Sequence, residues 1–212
     1  LSASGVVFDG FNVSPPPATS NEKGEALRVS NTPDNVTVRN NIVSDFEDGG
    51  VGTWESVEAI VAFGGKASDA INNVTVSDNK VLNISGRSTK GGTAGIKIQG
   101  NVSGATVTGN VVTNVGMEIT TWAFGIVITD TGNHDEVPSS VTLAGNSISS
   151  VLSDPSTSTL GVGFGFEDGD QNTPTVSNIT NNSFSNTEIQ VQDKTESNGT
   201  LDLDALLSNN DF

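Results

Sequence analysis

An all-β solenoid of about six to seven coils is the fold that this 212-residue sequence predicts. Two observations predict it: a recurring line built around one Asn, and a second alternating line strictly interleaved with it. The first line reads apolar-x-apolar-x-x-Asn-x-apolar. It appears as Val36-x-Val38-x-x-Asn41-x-Val43, Val74-x-Val76-x-x-Asn79-x-Val81, Ala105-x-Val107-x-x-Asn110-x-Val112 and Val141-x-Leu143-x-x-Asn146-x-Ile148. Shorter copies stand at Ile179-x-x-Asn182-x-Phe184 and Leu207-x-x-Asn210-x-Phe212. Successive Asn residues lie 38, 31, 36, 36 and 28 residues apart, a period that signals a repeat architecture.

Taken in order, the chain opens on Val6-x-Phe8-x-x-Phe11-x-Val13, a forerunner with Phe11 where later coils carry Asn. The second line then runs Leu27-x-Val29-x-Asn31, Val61-x-Phe63-x-Gly65, Ile96-x-Ile98-x-Gly100, Ile126-x-Ile128-x-Asp130, Phe164-x-Phe166-x-Asp168 and Ile189-x-Val191-x-Asp193. Period-2 spacing rich in Val and Ile makes both lines strands. A sandwich would join neighbouring strands by hairpin turns, and the connections here are not of that kind. In a solenoid each coil lies about 4.8 Å above the last, so like residues stack on like. The inward Val, Ile, Leu and Phe columns form the core. Asn is expected at the turn between the second and third strands, in the left-handed backbone region that it tolerates. Its amide bonds to the next Asn, forming a ladder. The Asn column is therefore structural, not catalytic.

The segments "NVTVRNNIVSDF" and "GIKIQGNVSGATVTGNVVTNV" carry a resemblance to the pectate-lyase-like superfamily, and the likeness extends from Val6 to Phe212. It implies a single-stranded right-handed parallel β-helix with irregular loop insertions, forming one domain over residues 1–212. The family includes lyases, hydrolases, epimerases, surface proteins and phage spikes, so the motif speaks for fold more than for activity. Its members commonly carry an amphipathic helix that caps the N-terminal coil. This chain lacks one, and the expectation is a fragment or processed form whose first coil has strand edges open to pairing.

Composition narrows the function classes. There are 25 acidic and 9 basic residues, for a net charge of −16. Phosphate binding needs a basic face, so nucleic acid is not an expected partner. Low Lys with high Asp, Thr and Val resembles secreted or surface proteins of halophilic archaea and marine bacteria, in which acidity maintains solubility. No run reaches the roughly 20 apolar residues that span a bilayer. Cys is absent, which excludes disulfides, a thiol nucleophile and thiolate metal ligands. An extracellular or cell-surface location is the expectation.

Candidate sites lie where the repeat is interrupted. Insertions after the third strand are expected at about Glu47–Ala59, Gly86–Thr93, Gly116–Trp122 and Leu152–Leu160. They hold Trp54 and Trp122, with Glu47, Asp48, Glu55, Glu58 and Glu118 beside Arg87 and Lys90. A flat indole next to carboxylates suits a sugar, offering an apolar face and acceptors for hydroxyls. The ligand-binding candidates are therefore Trp54, Glu55, Glu58, Arg87, Glu118 and Trp122. The alternative is that each Trp only covers the core beneath its loop.

The connections after the second line carry Asp130, His134, Asp135 and Glu136, then Glu167, Asp168 and Asp170, then Asp193. Stacked oxygen-rich loops suit Ca²⁺, with Asp130, Asp135, Asp168 and Asp170 as its candidate ligands. No Asp-x-Asp-x-Asp-Gly loop or Gly-Gly-x-Gly-x-Asp tandem is present, so no cofactor is assigned. Glycosylation sequons stand at Asn35, Asn73, Asn83, Asn101, Asn178, Asn181 and Asn198, with Asn12 compromised by Pro15.

Catalytic signatures implied by the resemblance are missing. The polygalacturonase-like Asn-Thr-Asp, Asp-Asp, Gly-His-Gly and Arg-Ile-Lys motifs do not occur, and Lys97 in "GIKIQG" has no Arg before Ile96. The Asp-Pro-His-Asp signature of alginate epimerases is absent, since "SDPS" at Ser153–Ser156 has no His. Arg28, Arg39 and Arg87 lie outside any lyase motif, and His134 alone makes no triad. No catalytic residue is named. The expected function is a non-catalytic extracellular module, structural or adhesive, whose partner is a polysaccharide or a neighbouring surface protein. Two alternatives stay open: a lyase, epimerase or glycosidase acting on acidic polysaccharide, and a subunit of a surface filament or viral spike.

Overall fold

The computed structural model describes residues 1–15, 24–47, 56–86, 92–116, 122–130, 136–153, 161–167, 173–194 and 210. Coil by coil, the strands begin with β1 (Val7–Asp9) and β2 (Asn12–Val13), then β3 (Gly24–Val29), β4 (Thr37–Arg39) and β5 (Ile42–Glu47). Next come β6 (Val57–Gly64), β7 (Ile71–Asn72), β8 (Thr75–Ser77) and β9 (Lys80–Ser85). They are followed by β10 (Gly92–Gly100), β11 (Val102–Ser103), β12 (Thr106–Thr108) and β13 (Val111–Gly116). The remaining strands are β14 (Trp122–Thr129), β15 (Val141–Ala144), β16 (Ser147–Val151), β17 (Gly161–Glu167), β18 (Val176–Thr180), β19 (Ser183–Ser185) and β20 (Ile189–Lys194).

These strands form three six-stranded parallel sheets. A long sheet joins β3, β6, β10, β14, β17 and β20, and a short sheet joins β1, β4, β8, β12, β15 and β18. The third sheet holds β2, β5, β9, β13, β16 and β19. Strands next to one another in a sheet come from successive coils. This is a parallel β-helix of about six coils, as the two interleaved lines predict.

Each sheet contributes a column to one core. Leu27, Ile60, Ile96, Ile126, Phe164 and Val191 stack in register along the long sheet. Val38, Val76, Val107, Leu143 and Ile179 do so along the short sheet, beginning at Phe8. Val43, Val81, Val112, Ile148 and Phe184 line the third. Burying each such side chain stabilises the fold by about 1.5–3 kcal/mol, and every coil repeats the gain.

The corner between the short and third sheets is built by the Asn ladder. Asn110 shows its logic. Its Oδ1 accepts from the backbone N–H of Asn79 at 3.0 Å and from Asn79 Nδ2 at 3.0 Å. Its Nδ2 donates to Val76 O at 2.9 Å and to Asn146 Oδ1 at 3.0 Å. Both lone pairs and both amide hydrogens are thereby engaged, which is the full capacity of the side chain. The same set recurs from Asn41 to Asn182, and Asn210 closes it by accepting from Asn182 and donating to Ile179 O. At the other end the Phe11 N–H donates to Asn41 Oδ1, so Phe11 joins the ladder through its backbone alone.

The left-handed residue is not the ladder Asn but the one before it. Asn40, Asp78, Gly109, Gly145 and Asn181 all have positive φ, continuing a column that starts at Gly10. The ladder Asn must turn its amide inward, so its neighbour takes the reversed backbone. Two further left-handed columns mark the other bends. One holds Gly5, Asn35, Asn73, Gly104 and Ser140; the other holds Asp45, Asn83, Asn114, Ser150 and Asn186. The last is an outer ladder too, with Asn83 Nδ2 donating to Asp45 and Asn114 Nδ2 to Asn83. The Asn83 amide holds the Asp45 carboxyl below its ordinary value.

Near the far end, Glu188 ties the last coil to the one before. Its Oε2 accepts from the Ser153 N–H and hydroxyl and from the Gly161 N–H. Burial raises its pKa, but the Gly161 and Ser153 donors outweigh that and hold the carboxyl below its usual value.

Two outcomes follow from these bonds. Asn110→Ala strands donors and acceptors on two coils and lowers the unfolding free energy by about 3 kcal/mol or more, measured by urea denaturation. Asn110→Asp is no milder, because a carboxylate cannot donate to Val76 O. Because its folded pKa is depressed, Glu188 contributes stability above its unfolded pKa and loses it as pH falls through the folded one. Thermal melts of wild type and Glu188→Gln should therefore differ at neutral pH and converge in acid.

Candidate functional site

The candidate site is the outer face of the long sheet. A bend in each long strand creates it. Ala59 and Ile60 both belong to the main core, so strict alternation breaks between them. The bend position is occupied by Gly125 in β14, where a Cβ would meet Ile148 Cγ2 at 2.6 Å and Gly163 O at 2.8 Å. The residue preceding the bend then faces away from the core. Glu58, Ala94, Phe124, Val162 and Ile189 hold this position in register. Ala94, Phe124, Val127 and Val162 form a second, smaller apolar cluster there, with Trp122 and Ile189 packed against it.

Trp122 is the first residue of β14 and half-buried. Its indole fills the space that a Gly92 side chain would need: a Cβ there would lie 1.8 Å from Cδ2. Gly92 and Trp122 are register partners, so only a residue without a side chain lets the ring settle on the sheet. The Trp122 and Phe124 ring centroids are 5.3 Å apart, and Lys97 Nζ lies 5.8 Å from the indole. Lys97 in turn donates to Glu58 Oε1 at 2.8 Å, tying β10 to β6. The Glu58 side chain is fully buried and that of Lys97 is 9% exposed, so this ion pair is sheltered from solvent.

Several positions differ from the sequence expectation. The long strands begin at Val57, Gly92 and Trp122, so Glu58, Thr93 and Trp122 lie in strands and not in insertions. Period-2 reading stops at the bend and misses the strand upstream of it. Trp54, Glu55, Arg87 and Glu118 lie outside the described residues, as do Asp48 and Lys90. Among the described residues, the structure brings together Glu58 and Trp122 of the sugar-contact set, bridged by Lys97. Lys97 is not among the sequence-predicted site residues, although it is the only charge in the "GIKIQG" strand. A buried cation in an otherwise uncharged strand requires a partner on a neighbouring coil.

Of the acidic set, Asp135, Asp168, Asp170 and His134 lie outside the described residues. Asp130 follows β14 and is buried, its backbone O accepting from Gln99 Nε2 at 2.9 Å. Asp193 lies within β20, in register with Phe166, not in a connection. No group of three His, Asp or Glu side chains among the described residues could hold a metal ion. Nor is any helix there long and apolar enough to cross a membrane.

The sequons divide by what their amides do. Asn73 Nδ2 donates to Asn35 Oδ1 at 3.2 Å, Asn83 Nδ2 to Asp45, and Asn101 Nδ2 to Ala67 O at 3.3 Å. Asn35, Asn178 and Asn181 are exposed, and Asn198 lies outside the described residues.

A hollow on the same sheet has no motif in the sequence to mark it. It lies where β3 and β6 end, and its chief residues are Arg28, Phe63 and Asp69. The Arg28 guanidinium sits 4.5 Å from the Phe63 ring centroid.

Comparison of the chain with family models, with characterised proteins and with solved structures finds no match.

Truncating one partner of the sheltered ion pair should be costly. Lys97→Met is expected to destabilise by about 3 kcal/mol, and Glu58→Leu combined with Lys97→Met by less, a comparison that chemical denaturation resolves.

Proposed function

We propose that this chain is a non-catalytic β-helix module of an extracellular surface, structural or adhesive in role, that contacts polysaccharide through Trp122. The parallel β-helix, and the resemblance of its repeat to a superfamily that includes surface proteins, support the setting. One observation carries the contact: a half-buried indole fixed over the bare backbone of Gly92 and braced by Phe124. A sugar ring stacks on such a platform with little loss of side-chain freedom, because the indole is already immobilised. The net charge of −16 repels polyanions, so the polymer best suited is neutral.

The allocation of polar side chains favours a scaffold over an enzyme. One buried Asn per coil is engaged in the ladder, and Lys97 and Glu58 in a cross-coil pair. Trp122→Ala is expected to lower glycan-array binding about tenfold or more while the melting temperature moves by only a few degrees. If Trp122→Ala and Trp54→Ala together leave binding unchanged, the sugar contact is lost. Turnover of a uronate polymer by the purified protein would overturn the non-catalytic reading.

A further inference from the structure

The hollow at the ends of β3 and β6 differs in chemistry from the Trp122 platform. Its volume is about 250 Å³, and Arg28, Ser30, Asn31, Thr32, Phe63 and Asp69 line it, with Gly65 beside Asp69. Ligand pockets for drug-sized molecules run from roughly 300 Å³ upward, so this one admits a single small unit.

Arg28 is held in place before any ligand arrives. Its Nη1 donates to both Glu25 oxygens, at 2.9 and 2.7 Å, and its guanidinium plane lies over Phe63. Nε and Nη2 have no protein acceptor among the described residues. An immobilised fork with donors to spare suits a carboxylate.

Asp69, which also lines the hollow, supplies an acceptor. Asp69 ends a short 3₁₀ turn, Ala67–Asp69, and its Oδ1 accepts from the Ser68 hydroxyl at 2.9 Å. Its Oδ2 faces Gly65, where a Cβ would stand 2.9 Å away. Having no side chain there leaves that oxygen uncovered.

Part of the lining is strained. Asn31 and Thr32 both have positive φ, 68° and 60°. They belong to none of the three left-handed columns. A β-branched residue in that region is a true outlier, and strain of this kind gathers at binding sites.

We propose that this hollow binds a small zwitterion of the α-amino-acid class, its carboxylate on Arg28 and its ammonium on Asp69. The hydroxyls of Ser30 and Thr32 provide further polar contacts. Net charge decides between this ligand and a simple anion. A protein of charge −16 repels a free carboxylate or a polyuronate, whereas a zwitterion is neutral overall and meets one group of each sign.

Isothermal titration of the full chain with glycine, L-alanine and L-serine tests the proposal, with acetate, methylammonium and glucuronate as comparisons. Amino acids are expected to bind at least about tenfold more tightly than acetate or methylammonium. Arg28→Lys keeps the charge but loses the fork, and Asp69→Asn loses the anion. Each should weaken binding about tenfold. Trp122→Ala should leave it unchanged, so this result and the glycan result can fail separately. Should Arg28→Lys not fold, Asp69→Asn in the exposed turn carries the test, together with amide shift changes at Asn31 and Thr32. Absence of binding at about 50 mM amino acid overturns the proposal. So does glucuronate or acetate binding as tightly as the amino acids, or shift changes mapping away from β3 and β6.

Discussion

One amide per coil sets the geometry of the whole molecule. A ladder Asn can satisfy its four hydrogen-bonding positions only if the next coil lies directly above with its own Asn in register. Each rung therefore fixes the height and the lateral position of the following one. Because the amide must point inward, the preceding residue must reverse its backbone, and the corner becomes sharp at that point. The short and third sheets diverge from it, and the Val and Ile columns follow with the register that the ladder imposes. Hydrophobic burial supplies most of the stabilisation, but burial is non-directional and would tolerate a coil slipped along its neighbour. The ladder does not tolerate slippage, because one displaced rung leaves a buried amide and two backbone groups unsatisfied.

The core was legible in the sequence because it repeats. Val38, Val76, Val107 and Leu143 occupy like positions in each copy, and period-2 spacing assigns them to one face. The ladder was legible for the same reason. The reversed backbone falls one position before the ladder Asn, and adjacency hides this in the sequence. Asn40 precedes Asn41, and Asn181 precedes Asn182, so either of the two could have held the reversed backbone. Gly109 and Gly145 ahead of Asn110 and Asn146 are the signal that separates them. The upstream parts of the long strands are hidden from period-2 spacing because Ala59 and Gly125 sit at bends where two successive residues face inward. Strand periodicity has no means of registering such a bend. Arg28, Phe63 and Asp69 could not be joined from sequence, since their meeting depends on β3 pairing with β6 at Arg28 and Val61.

The outer face of the long sheet handles charge conservatively. Glu25 and Glu58 are register partners on successive coils, and each holds a cation, Arg28 in one case and Lys97 in the other. The two pairs differ in burial. The Glu58–Lys97 pair is sheltered beside an apolar cluster and acts as a cross-coil tie. The Arg28 side chain is 38% exposed, and its remaining donors border open space. The same pairing rule thus yields a strut between β6 and β10 and, on the neighbouring edge strand β3, the cation of the proposed recognition site. Their aromatic neighbours differ as well: Trp122 stands beside Lys97 at 5.8 Å, whereas Phe63 supports Arg28 at 4.5 Å.

Backbone strain separates the corner columns from the lining of the proposed hollow in the same way. Among the described residues, all positive-φ positions except Asn31, Thr32, Gly100 and Gly116 fall into the three corner columns. Strain in a column has a structural purpose, since each residue turns the chain where every other coil also turns. It is eased by Gly, Asn or Asp, and by Ser at Ser140 and Ser150, all residues without a branched carbon chain. Gly100 and Gly116 lie at strand ends and bear no side chain, so their reversed backbones carry little penalty. Asn31 and Thr32 remain. Thr is a poor choice for a position that only needs a turn, and Gly or Asn would serve that need better. Its presence makes sense if the hydroxyl and the shape of the wall matter more than the local conformational energy, which is the condition for a binding surface and not for a corner.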